Sequence, residues 1–147
     1  MNKTVSGCEF CNPASLEQQQ RMIKSGSLFL SFVSKPWFRS GHCLVVPKRH
    51  ITMPSELTKE EGAEIMEELG RLSKLLDQGF GSGIIQKYMP KQSENGVKMN
   101  HLHFHVFPRQ EKEKHLFPTP DPNQFEGFYT PTDEDIKELI SKLVAKS

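Results

Sequence analysis

The chain is short of cysteine, has almost no excess of either charge, and contains no long apolar run. Met1 to Gly7 holds no hydrophobic segment of signal-peptide type, so the expected compartment is the cytoplasm. There, an odd count of three cysteines (Cys8, Cys11 and Cys43) argues against a disulfide framework. Lysine and arginine number 19 against 18 acidic residues, a net charge of +1. That balance offers no broad basic field for nucleic acid or for a membrane surface, although local basic groups can still meet phosphates. No apolar run approaches the length of a membrane span. What is present is 147 residues, 35% apolar and 25% charged. This is enough for one soluble globular domain with a real core.

The most informative stretch is His101-Leu102-His103-Phe104-His105-Val106-Phe107, followed by Pro108. If Met99 to Phe107 is a strand, period-two alternation turns all three imidazoles to one face and Leu102, Phe104 and Val106 to a core. Buried imidazoles need partners. The readings are a satisfied histidine cluster, a metal site, a proton relay, or a histidine nucleophile with supporting donors.

Around it the chain divides into recognisable pieces. Ser15 to Gln20 can form a short helical turn. Arg21 to Ile23, a turn at Lys24 to Ser27, and Leu28 to Val33 read as a hairpin. His42 to Val46 is nearly continuously apolar and stops at Pro47, which predicts a central strand. Thr58 and Glu61 make a capping box. Behind it, Ile65, Leu69, Leu72 and Leu76 form the apolar stripe of a helix over roughly 59–78. Ile84 to Tyr88 is a further strand. Residues 110–131, rich in proline and aromatics, read as a long loop. Thr132 starts a C-terminal helix with Ile136, Ile140, Leu143 and Val144 as its apolar face.

Cys8-Glu9-Phe10-Cys11 has metal-knuckle spacing but supplies half of a tetrahedral set. A redox pair or two ordinary thiols are the other readings. His50 and His101 would complete a closed Cys2His2 zinc site if the fold brings them to the knuckle. Gly41 and Gly96 suit close approach of backbone N–H groups to an anion, or are ordinary turn glycines. His42 reads equally as a structural histidine, and Lys98 as a solvated charge.

The alternating histidines resemble the signature of the histidine triad (HIT) family of nucleotide hydrolases and transferases. Gly41-His42-Cys43-Leu44-Val45-Val46-Pro47-Lys48-Arg49-His50 resembles that family's Gly-His-x-Leu-Val-x-Pro-Lys-x-His segment, and Cys8-x-x-Cys11 the knuckle of its zinc-containing, largely bacterial members. The likeness spans about residues 8–109. It implies an α+β fold: an antiparallel sheet of about five strands, one long helix and a C-terminal helix, in a single domain over 1–147. It also implies a homodimer whose sheets join into one.

The same likeness implies roles. His103 would attack the α-phosphorus of a dinucleoside polyphosphate or nucleoside phosphoramidate, giving a nucleotidyl-histidine intermediate that water resolves. His105 would donate to phosphate oxygens or the leaving group. Gln86 and Gly96 would approach the phosphate, and Leu44 would line the base or ribose pocket. Structural zinc would sit on Cys8, Cys11, His50 and His101. A transferase using the same intermediate, and a nucleotide-binding or scaffolding protein with weak turnover, are the alternatives. Two positions depart from the family pattern. Ser34 stands where Asn or Asp commonly holds the ribose hydroxyls. Lys98 replaces a phosphate-binding hydroxyl and would act as a point charge on a polyphosphate or face solvent.

Overall fold

The computed structural model describes residues 6–35, 37, 40–80, 84–88, 101–108 and 130–145, with the backbone alone at 80, 84–88 and 145. The elements are α1 (Pro13–Gln18), β1 (Met22–Ser25), β2 (Phe29–Val33), β3 (Cys43–Pro47), α2 (Lys59–Phe80), β4 (Ile84–Tyr88), β5 (Phe104–Pro108) and α3 (Asp133–Ala145). The five strands form one sheet in the order β1-β2-β3-β5-β4, and every pairing is antiparallel. This is the expected α+β architecture, with β3 at its centre. Of the expected loop over 110–131, positions 110–129 fall outside the described residues.

Alternation along β2 and β3 explains why both strands are buried throughout. Phe29, Val33, Cys43 and Val45 face a core closed by α2 and α3. Leu30, Phe32, Leu44 and Val46 face a second cluster, with Cys8, Phe10 and Leu16 from the N-terminal segment. A sheet covered on both faces needs apolar residues at successive positions, hence the unbroken run in β3. Ser31 is the polar exception on the α2 side. Its hydroxyl donates to Glu68, which also accepts from Arg71 Nε (2.6 Å) and Nη2 (2.9 Å).

Helix α2 starts as the capping box requires. Glu61 N–H donates to Thr58 Oγ1 (3.1 Å), and Thr58 N–H to Glu61 Oε1 (2.9 Å). Ile65, Leu69, Leu72 and Leu76 are all buried. Helix α3 has a reciprocal cap between Thr132 and Asp135. Its buried face is Ile136, Leu139 and Leu143, with Ile140 packed at the margin. Val144, expected on that face, is 53% exposed. The spacing 136, 139, 140, 143 completes one stripe, and position 144 falls to its flank.

Glu61 does more than cap. Arg49 Nε and Nη2 donate to its two oxygens at 2.9 and 2.8 Å, tying the helix start to the segment just before His50. The Arg49 hydrogen bonds hold the Glu61 carboxyl below its ordinary value of 4.5, against the opposing effect of burial. A depressed carboxyl contributes stability above its ordinary pKa and loses that contribution as pH falls through the folded value. Glu61→Gln is therefore expected to cost about 2 kcal/mol at neutral pH. That is a fall of roughly 5 °C in Tm. In thermal melts at stepped pH, the gap from wild type should close below pH 4.5 as Glu61 itself protonates.

The histidine segment differs from expectation in one respect. The β5 ladder begins at Phe104, not before His101; positions 99 and 100 lie outside the described residues. Strand β3 pairs Val45 with Phe104 and Leu44 with His105. Continuing that register sets Pro47 opposite Leu102. Pro47 has no N–H to donate, and its carbonyl accepts from His101 Nε2 at 2.7 Å. Leu102 N–H donates instead to Ile51 O at 2.7 Å. His101 and His103 therefore sit on a stretch that leaves the ladder and runs beside the segment carrying His50.

Candidate active site and metal centre

Cys8 precedes and Cys11 ends a single 3-10 turn, Glu9–Cys11, closed by Cys11 N–H donating to Cys8 O at 3.1 Å. Asn12 then caps α1 through its side chain, with Pro13 at the first helical position. This tight entry brings both thiols to one place. Cys8 Sγ stands 3.5 Å from His101 Nδ1. Cys11 Sγ stands 3.3 Å from His50 Nδ1 and 3.4 Å from His101 Nδ1. The four ligand atoms all lie within 4.8 Å of one another. Around a tetrahedral ion bound about 2.3 Å from sulfur and about 2.0 Å from nitrogen, adjacent ligands stand about 3.5 Å apart. The donor set fits such an ion.

Protonation agrees with that fit. A carbonyl only accepts, so His101 Nε2 carries the proton it donates to Pro47 O, and Nδ1 presents its lone pair to the thiols. Burial pushes the His101 imidazole down to about 4, opposed by the Pro47 contact, so the ring is neutral near pH 7. Burial likewise pushes the Cys8 thiol up to about 11. A metal that takes Cys8 as thiolate must displace that proton.

His103, next in the triad and buried, donates from Nδ1 to the His101 carbonyl at 2.8 Å. That contact fixes its tautomer and leaves the lone pair on Nε2. Its ring centroid lies 5.0 Å from that of His105 and 5.5 Å from that of Phe10, the knuckle residue just before Cys11. His105 Nδ1 is 2.8 Å from His42 Nε2, so one of these nitrogens carries a proton shared between the rings. His42 is itself buried, against Phe107 at 5.2 Å between centroids. The group can therefore present a nitrogen lone pair at His103 beside an imidazole pair that holds and delivers a proton.

Ser34 and Leu44 are both buried. Ser34 N–H donates to His42 O at 3.0 Å, and Leu44 pairs with His105 across the sheet. Gln86 lies on β4 opposite Val106, with its side chain outside the described atoms. Gly96 and Lys98 fall outside the described residues. The partnership of His42 with His105 is absent from the sequence reading. Period two along β3 places 42 on the face of Leu44 and Val46, but pairing β3 with β5 is what turns that into a contact. Phe10, a spacer position within Cys-x-x-Cys, is likewise tied to the site only by the His101 and His103 rings it meets.

Comparison with known proteins gives the following. A bis(5'-adenosyl)-triphosphatase of Dictyostelium discoideum is 27% identical over 95 residues, 65% of this chain and 64% of that protein. The alignment thus spans less than two thirds of that relative. An adenosine 5'-monophosphoramidase of Schizosaccharomyces pombe is 25% identical over 109 residues, 72% of this chain and 77% of that protein. Among solved structures, a hypothetical histidine triad nucleotide-binding protein from Sulfolobus tokodaii superposes with a TM-score of 0.69 at 21% identity, covering 92% of this chain and 89% of that one. A Zn-bound histidine triad family protein from Mycobacterium smegmatis superposes at 0.62 and 21% identity, covering 96% of this chain and 98% of that one. At such identities the structures establish a shared fold. A sequence model described as the HIT domain matches residues 15–112, from α1 past the last triad histidine and over more than half of the chain, and the chain belongs to that family.

Proposed function

We propose that this protein is a zinc-containing nucleotide hydrolase that cleaves a dinucleoside polyphosphate or a nucleoside phosphoramidate at the α-phosphorus. The observation that carries the reading is the His103 tautomer: Nδ1–H is tied to the His101 carbonyl, and Nε2 keeps its lone pair in a buried ring. A neutral imidazole is a nucleophile without prior activation. Nε2 forms a bond to phosphorus as the bond to the leaving oxygen or nitrogen breaks. The His105–His42 pair gives the leaving atom its proton, or holds the phosphate oxygens as charge builds. Water then attacks phosphorus as the phosphorus–Nε2 bond breaks, gives a proton back to the His105–His42 pair, and releases the nucleotide with His103 in its starting form. The two enzyme relatives, a triphosphatase and a phosphoramidase by name, support this substrate class.

Cys8, Cys11, His50 and His101 would hold zinc. Four protein ligands leave no open position for water, so the ion's contribution is a cross-link between the N-terminal turn and the stretch that carries His103. The Zn-bound relative supports this identity for the metal. Ser34, Leu44, Gln86, Gly96 and Lys98 are proposed to contact the nucleotide.

Release of nucleotide from diadenosine polyphosphates and from an adenosine phosphoramidate tests the reading. Wild-type inactivity on both, with tight nucleotide binding, would favour a binding module instead. Because His42 acts through His105, His42→Asn is expected to lower kcat about a hundredfold. KM should change little, since the lost group serves proton transfer rather than ground-state binding. A KM effect without a kcat effect would remove His42 from the proton path.

A further inference from the structure

Arg21 is only 3% exposed, yet it carries a full charge at the start of the hairpin. Its Nε donates to Val33 O at 3.0 Å. Its Nη1 donates to Gln19 Oε1 at 2.9 Å and to Glu9 Oε1. Its backbone N–H donates to Leu16 O at 3.0 Å, and its carbonyl accepts from Val33 N at 2.9 Å. The guanidinium also lies over Phe32, 5.5 Å from the ring centroid. Gln20 just before it has φ of 57°, a left-handed backbone that non-glycine residues seldom adopt. Burying this charge is expensive, and an apolar side chain of similar volume would serve the fold at least as well. One of these contacts reaches Glu9, which lies inside the Cys-x-x-Cys turn. The neighbouring Phe10 meets the His101 ring edge-on at 5.9 Å and the His103 ring at 5.5 Å.

We propose that Arg21 is a positioning residue for the metal knuckle. Anchored on the Val33 carbonyl, it fixes Glu9 and with it the turn that carries Cys8, Phe10 and Cys11. This rests on the zinc reading given above. Holding the turn in its ligating shape lowers the ordering cost of metal binding and keeps Phe10 against His103. The bracket thus connects the end of β2, next to Ser34, to the knuckle and then to the nucleophile.

The test measures zinc affinity by competition with a chromophoric chelator, together with Tm, kcat and KM, on the full chain. Arg21→Met is expected to bind zinc about tenfold more weakly, as loss of outer-shell support typically does. Glu9→Ala, which removes the acceptor on a part-exposed side chain, should show a loss in the same direction. The double variant should be no worse than Arg21→Met alone, because the Arg21–Glu9 contact is already gone in that variant. Leu139→Ala, a core truncation on the α2 side, should lower Tm without moving zinc affinity by more than about twofold. Wild-type zinc affinity in Arg21→Met or in Glu9→Ala, or losses that simply add, would overturn the bracket alone. A wild-type protein that takes up no stoichiometric zinc would overturn the zinc reading, and the bracket with it.

Discussion

His103→Ala is expected to reduce nucleotide release by about 10⁴- to 10⁶-fold, the range seen when a covalent nucleophile is removed. The size follows from the geometry. His103 is the histidine whose Nδ1 is committed to a backbone carbonyl two residues earlier, so its remaining nitrogen is a lone pair at any pH where the ring is neutral. Alanine removes both the proposed nucleophile and the contact that orders the turn from His101 to His103. Steady-state assays on a diadenosine polyphosphate check the rate. Rapid quench of wild-type enzyme, followed by recovery of a phosphorus–nitrogen adduct, checks the intermediate. Full turnover by His103→Ala would end the assignment. Loss of His105 would show a smaller effect, because it serves proton delivery and phosphate binding rather than forming the bond to phosphorus.

Metal removal should have the second large effect, on stability rather than on chemistry. The four ligands come from three separate segments: Cys11 is 39 positions from His50 and 90 from His101. An ion there ties the N-terminal turn to the end of β3 and to the approach to β5, across chain lengths whose closure costs entropy. At a free concentration about 1,000 times its Kd, such an ion stabilises the fold by about 4 kcal/mol. Chelation is then expected to lower Tm by roughly 10 °C. Cys11→Ser should reproduce most of that loss without chelator. Metal analysis of protein purified without chelator should give about one zinc per chain. Less than about half an equivalent, with an unchanged melt, would count against the site, and a reversible Cys8–Cys11 disulfide would then favour a redox pair.

Local rules accounted for much of the architecture. The Thr58–Glu61 box and the stripe from Ile65 to Leu76 are statements about one turn and one face of one helix, and the folded helix obeys both. The central placement of β3 was legible because a strand buried on both faces must be apolar at successive positions. The α3 face was read slightly off, with Val144 where Leu139 belongs, since two candidate stripes of similar apolarity differ only in which side meets α2. The start of β5 was missed because it depends on Pro47, a residue of another strand, standing where a donor was needed.

The histidine spacing announced a site, and the Cys-x-x-Cys knuckle announced half of another. Period and spacing speak only of neighbours along the chain. They do not say that His50 and His101 meet the thiols, or that His42 shares a proton with His105. Those depend on β3 lying antiparallel to β5 and on the knuckle folding over the same sheet face. They also bring Arg21 beneath Glu9, which no motif in the chain foretells. Side chains acquire chemistry from what stands within a few ångströms, and distance across the fold is set by strand pairing and burial rather than by position in the chain.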